Sequence, residues 1–98
     1  MSLDELRVKI DSVDDELKKL FLRRMEIVHD IACIKAESGD NIYKPDREKA
    51  VIERLSAGID ESLKDDYIKF VTEVIGISRE YQKRIIDEIR SGNSPLNS

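Results

Sequence analysis

From Leu3 to Ile34 the apolar residues of this chain return at intervals of three and four: Leu3, Leu6, Ile10, Val13, Leu17, Leu20, then Ile27, Ile31 and Ile34. The alternation marks a helix with one long apolar seam, kept over about five heptads with a single break at Arg24. Ser2 and Glu5 stand ahead of it in capping-box spacing, and neither Gly nor Pro interrupts the chain until Gly39. The pattern predicts one helix of about 36 residues. The stretch Gly39-Asp40-Asn41-Ile42-Tyr43-Lys44 reads as a loop, after which Pro45 and Asp46 suit the first turn of a short helix ending before Gly58. Ser62 followed by Asp65 predicts the cap of a third helix from Leu63 to Arg90, with apolar positions at Tyr67, Phe70, Val71, Val74, Ile75, Tyr81, Ile85, Ile86 and Ile89. One helical domain over 1–90 is expected, followed by a disordered tail over 91–98, SGNSPLNS.

The first helix sets a geometric problem. It is roughly 54 Å long, whereas a compact chain of this size has a radius of gyration of only ~13 Å. The helix must overhang its own domain, and its seam stays wet unless a second subunit covers it. The expected fold is therefore all-α: three helices, one long, one short and one long, in an intertwined homodimer whose long helices pair antiparallel. Composition agrees, since 98 residues bury a modest core unaided and a chain 39% charged, with two Pro and four Gly, suits long helices.

Charge narrows the partners. The net charge is −4 with acids and bases interspersed, so no global field draws the chain to nucleic acid or anionic lipid, and any anion must be held by a local cluster. There is no apolar run of membrane-spanning length and no signal-peptide pattern, and the lone Cys33 has no internal partner for a disulfide. A cytoplasmic location is expected, with no membrane and no nucleic-acid partner.

Candidate chemistry lies where charge breaks the apolar pattern, because a buried charge costs several kcal/mol (roughly) unless it is paired or meets a ligand. Arg24 sits in the seam between Leu20 and Ile27; its ordinary explanations are an internal salt bridge or a side chain reaching out to water. Lys35 follows after close to three turns, on the same face and about 16 Å along the axis. Arg7 flanks the seam roughly 42 Å from Lys35. One chain cannot bring both to a small ligand, but an antiparallel dimer crossing near residue 18 sets the partner's Arg7 beside the Arg24–Lys35 stretch. Arg47 and Glu48 border the apolar face of the second helix and are placed to lean over the first. Ser78 and Gln82 are an i, i+4 pair on the inward stripe of the third, each explicable alone as a back-bonded serine or a core amide. Together these residues describe a site of four cations, one acid and two neutral donors, suited to a small polyanion bearing a hydroxyl. They include no evident nucleophile and no metal-ligand set.

The segments Leu6-Arg7-x-x-Ile10-Asp11-x-x-Asp14, Leu22-Arg23-Arg24-Met25, Ile34-Lys35, Pro45-Asp46-Arg47-Glu48 and Ser78-x-x-x-Gln82 resemble, in order and spacing, the all-helical chorismate mutase family. The likeness runs from Leu3 to Ile89. It implies an intertwined dimer with two equivalent sites, each taking Arg7 from the partner subunit, that rearranges chorismate to prephenate in aromatic amino-acid biosynthesis without a cofactor. By the same resemblance Arg7 and Arg24 bind the two carboxylates, Arg47 adds positive charge and Ser78 a hydrogen bond, Glu48 accepts the ring hydroxyl, and Lys35 and Gln82 donate to the ether oxygen. Lys44 stands where many relatives carry an acid, a position whose main-chain amide touches the hydroxyl. Gln82 replaces the Glu of some relatives and, as a neutral donor, requires no protonation.

Two other readings share the fold. An isochorismate pyruvate lyase has much of the cationic pocket, but Glu48 suits the hydroxyl of chorismate, where the lyase has an apolar residue. A regulatory or dimerising module of an aromatic-pathway enzyme needs no complete pocket. Elsewhere, His29 is expected as a surface imidazole, Cys33 as a small residue at the edge of the seam, and Tyr43 and Tyr67 as packing groups near helix ends.

Overall fold

A computed structural model describes residues 1–92; the rest of the expected tail, residues 93–98, lies outside the described residues. Among the described residues the chain forms three α-helices and no strand: α1 (Leu3–Ser38), α2 (Pro45–Ser56) and α3 (Glu61–Arg90). The 36 residues of α1 run unbroken. Ser2 caps them, its Oγ accepting the Glu5 N–H at 3.1 Å. Gly39 ends them in the left-handed region, φ 73°, donating its N–H to the Lys35 carbonyl at 2.8 Å, a conformation that a side chain would oppose. Pro45 opens α2, with Asp46 and Glu48 in the first turn and no side-chain cap from Lys44.

The start of α3 differs from expectation. Asp60, not Ser62, is the cap: its carboxylate accepts the Ser62 N–H at 3.2 Å, and the Ser62 hydroxyl donates to the same carboxylate. The helix consequently begins at Glu61, because a carboxylate two residues upstream satisfies the exposed amides before the serine is reached.

Packing centres on α3, which buries the stripe Val71, Ile75, Ser78, Gln82, Ile85 and Ile86. Ala32 is fully buried against Ile85 and Ile86, with Cys33, Ala36, Ile42, Tyr81 and Ile89 around them. A methyl at the crossing lets α1 and α3 come close. α1 and α2 each pack on α3 and not on one another, which leaves a gap between them with α3 as its floor.

The seam of α1 faces away from this core. Leu3, Leu6, Ile10, Val13, Leu17 and Leu20 are exposed, and so are Ile27, Ile31 and Ile34; Val28 and Ala32, one position further round, turn to α3 instead. The chain is elongated and thin, 55 × 32 × 14 Å with a radius of gyration of 17.1 Å, well above the ~13 Å of a compact domain. Among the described residues no helix is long and apolar enough to cross a membrane.

Candidate active site

The gap between α1 and α2 holds a cavity of about 330 Å³. Arg24, Val28, Ile31 and Lys35 line it from α1, Ile42 and Lys44 from the loop, Arg47, Glu48 and Val51 from α2, and Ile75, Ser78, Arg79 and Gln82 from α3. Seven of the eight sequence-identified residues are thereby brought to one place. Arg7 is not. It is exposed near the free end of α1, paired loosely with Asp4 at 3.8 Å, as the helical distance dictates.

Arg24 is half-buried, and its guanidinium donates to the Ser78 Oγ. That hydroxyl donates onward to the Val74 carbonyl at 2.9 Å, so α3 holds it with a lone pair turned to the arginine. Among the described residues no carboxylate pairs with Arg24. The internal salt bridge that would have been its ordinary explanation is absent among the described residues, and the guanidinium faces the cavity without a paired carboxylate.

Lys35 is held on two neutral acceptors, the Gln82 Oε1 at 2.9 Å and the Ile42 carbonyl at 3.1 Å. Burial pushes its pKa below the usual lysine range, and the nearby Lys44 adds to that, against the opposing charges of Asp40 and Glu48. Because the Gln82 carbonyl faces the ammonium, its amide N–H groups remain as donors on the other edge. Two donors, one charged and one neutral, thus stand side by side at the end of the cavity away from Arg24.

Glu48 has a partner that the sequence reading missed. Arg79 grips it with a two-pronged contact, Nη2 to Oε1 at 2.8 Å and Nε to Oε2 at 3.2 Å, and this raises the arginine's own pKa above its usual value. The same guanidinium lies over the Tyr43 ring, 4.7 Å from its centroid. A signal was available: residue 79 is three before Gln82 and so shares the face of the polar stripe. Lys44 lines the cavity with its Nζ paired to Asp40 at 2.6 Å, a contact that holds the Asp40 carboxyl below its usual range. Arg47 is exposed at the rim.

The minor residues depart from expectation in one case. His29 is not a surface imidazole but half-buried, its ring 6.5 Å from that of Tyr81, with Nδ1 3.6 Å from the Asp30 carboxylate and 3.9 Å from the Cys33 Sγ. Position 29 adjoins Val28 and Ala32 on the stripe that faces α3, so packing claims it. Tyr67 stacks on Phe70 with centroids 6.3 Å apart, and Tyr43 is taken up by Arg79.

Such a cavity offers five cationic side chains, one carboxylate and two neutral donors. It can hold a small polyanion at separated points and present a partly buried ammonium at one end. Comparison with known proteins gives a consistent answer. Residues 6–83 match the family described as chorismate mutase type II. The chorismate mutase of Methanocaldococcus jannaschii is 32% identical over 93 residues, covering 93% of this chain and 94% of that protein. The T-protein of Haemophilus influenzae is 38% identical over 73 residues, 69% of this chain, which spans only 19% of that longer protein. Among solved structures, the chorismate mutase of Helicobacter pylori in complex with prephenate superposes with a TM-score of 0.78 at 39% identity, over 88% of this chain and 94% of that one. Family model, sequence relatives and solved structure agree, and the chain belongs to the type II chorismate mutase family.

Proposed function

We propose that this protein rearranges chorismate to prephenate. The reaction is unimolecular: the ether C–O bond breaks as a C–C bond forms between the enolpyruvyl arm and the ring. It needs no proton transfer and no covalent intermediate, so catalysis rests on conformation and electrostatics. One observation supports the reading above others, namely that Arg24 and Lys35 share one cavity while each is hydrogen-bonded only to neutral groups. Two free positive charges at fixed separation fit a dianion with an oxygen that becomes more negative along the reaction.

In this scheme Arg24, steadied by Ser78, takes one carboxylate, and Arg47 with Lys44 adds positive charge at the mouth. Holding the arm over the ring in a reactive geometry lowers the entropic part of the barrier. Lys35 and the Gln82 amide donate to the ether oxygen as its bond lengthens, and the partial dehydration of the ammonium makes that contact stronger than it would be in water. Glu48 accepts the ring hydroxyl. The second carboxylate calls for a further arginine, because Arg79 is engaged by Glu48 and Lys44 by Asp40. Arg7 of a second subunit supplies it, in an intertwined homodimer whose antiparallel α1 helices cover each other's exposed seams. A cytoplasmic setting accords with this reading.

The test is to incubate the purified protein with chorismate and quantify prephenate, with Arg24→Ala run beside it and its helicity checked by circular dichroism. Prephenate from the wild type and almost none from a folded variant is the expected result. No prephenate from the folded wild type would overturn the reading. Shared sites are tested by mixing: Arg7→Ala and Arg24→Ala subunits, each inactive alone, should regain roughly a quarter of wild-type activity when re-assorted, since one site in each mixed dimer is intact.

A further inference from the structure

Arg79 is the one cation of the cavity to which the reaction scheme assigns no task. It rises from α3 one residue past Ser78 and meets both oxygens of Glu48 across the gap to α2. Its guanidinium also rests on Tyr43, at the end of the loop between α1 and α2. One side chain therefore ties together the loop, α2 and α3 around a single carboxylate. A planar fork on two oxygens fixes both the position and the rotation of that carboxylate, which an ammonium or a lone hydrogen bond does not. Each carboxylate oxygen retains a lone pair for a further donor, so Glu48 stays able to accept a hydroxyl while it is held. Without the fork Glu48 is a flexible side chain on the first turn of a helix, free to leave the cavity for water.

Resting on the chorismate mutase reading, we infer that Arg79 is a positioning residue that acts through Glu48, with Tyr43 as its platform, and sets the selectivity of the site for a substrate bearing the ring hydroxyl. It touches no reacting atom in this role. Its effect is carried entirely by where it holds the Glu48 oxygens.

The experiment compares kcat and KM of the wild type, Arg79→Ala, Arg79→Lys and Tyr43→Ala on chorismate and on the analogue with hydrogen in place of the ring hydroxyl. Arg79→Ala should lower kcat/KM on chorismate about tenfold, the scale of one charge-assisted hydrogen bond, and shrink the preference for chorismate over the analogue by about fivefold. Arg79→Lys should fall between, and Tyr43→Ala should move the same way by about threefold. In a Glu48→Gln background Arg79→Ala should cost nothing further, since the residue through which it acts is gone. An unchanged preference between the two substrates, or a full additional loss in the Glu48→Gln background, would overturn the inference and make Arg79 a direct carboxylate ligand or a packing residue. Wild-type protein that forms no prephenate would sink the functional reading and this inference with it, so the two failures are distinguishable.

Discussion

Residues Leu3 to Leu22 and residues Arg24 to Ser38 belong to one unbroken helix with one heptad pattern, yet their surroundings are opposite. In the N-terminal half every large apolar side chain of the seam is exposed, and only at its end do Leu17 and Leu20 border Phe70 and Val74 of α3. In the C-terminal half Val28 and Ala32 are buried, and the two cations that interrupt the apolar character are both hydrogen-bonded from α3. A polar residue is thus well provided for where the apolar ones are not. That inversion accords with the dimer proposed above: the C-terminal half already carries part of a cavity within one chain, and the exposed N-terminal seam is the surface a second copy would cover.

The comparison can be broken at its polar end first. Lys35→Ala removes the charge at the site of developing negative charge and should lower kcat by about 10²- to 10³-fold with a much smaller change in KM. Equal losses in both, measured by steady-state kinetics, would make Lys35 a binding group only. At the apolar end, Leu17→Ala separates the two descriptions of the seam. It should destabilise by ~2–5 kcal/mol if a second subunit covers the seam, and the melting temperature should then depend on protein concentration. On a bare helix the change stays within about 0.5 kcal/mol, and such a result would remove the dimer from the account.

Gln82→Glu sharpens the contrast between neutral and charged partners of Lys35. The wild type has no acid to protonate at this position, so kcat/KM should be flat across neutral pH. It should then decline on the alkaline side as the Lys35 ammonium is lost, at a pH below that of an ordinary lysine because its folded pKa is lowered. In the variant the carboxyl donates only when protonated, and Lys35 beside it favours the ionised form; activity should fall about tenfold at neutral pH and recover in acid. A pH profile identical to wild type would take Gln82 out of the ether-oxygen role. The smallest effect is Ser2→Ala, which removes the cap of the overhanging end and should cost ~1 kcal/mol in a thermal melt without altering the kinetics of assembled protein.

Much of this molecule was legible in the order of its residues, for a local reason. α1 came out at its full length because Ser2 and Gly39 bracket a stretch free of Gly and Pro with one heptad pattern, and both caps depend only on neighbours within four positions. The cap of α3 was misplaced by two residues because Asp60 and Ser62 are both good caps, and the backbone entering the helix chose between them. Arg24, Ser78 and Gln82 stood out because each takes an inward position of its helix, and Lys35 because it follows Arg24 on the same face, signals contained in the sequence itself. Arg79 violates nothing: it sits beside the stripe as an ordinary surface arginine would, and only the approach of α2 gives it a carboxylate to hold.

What the sequence determined by itself, then, is helix length, the face each helix presents and the positions where charge is out of place, since all three follow from periods of three and four residues. Tertiary structure alone decided that Val28 and Ala32 rather than Ile27 and Ile31 meet α3, that α2 stands on α3 and leaves a cavity against α1, and that Arg79 closes on Glu48. Those outcomes depend on the angle and offset at which helices pack, which are set by the sizes of side chains brought together from distant parts of the chain.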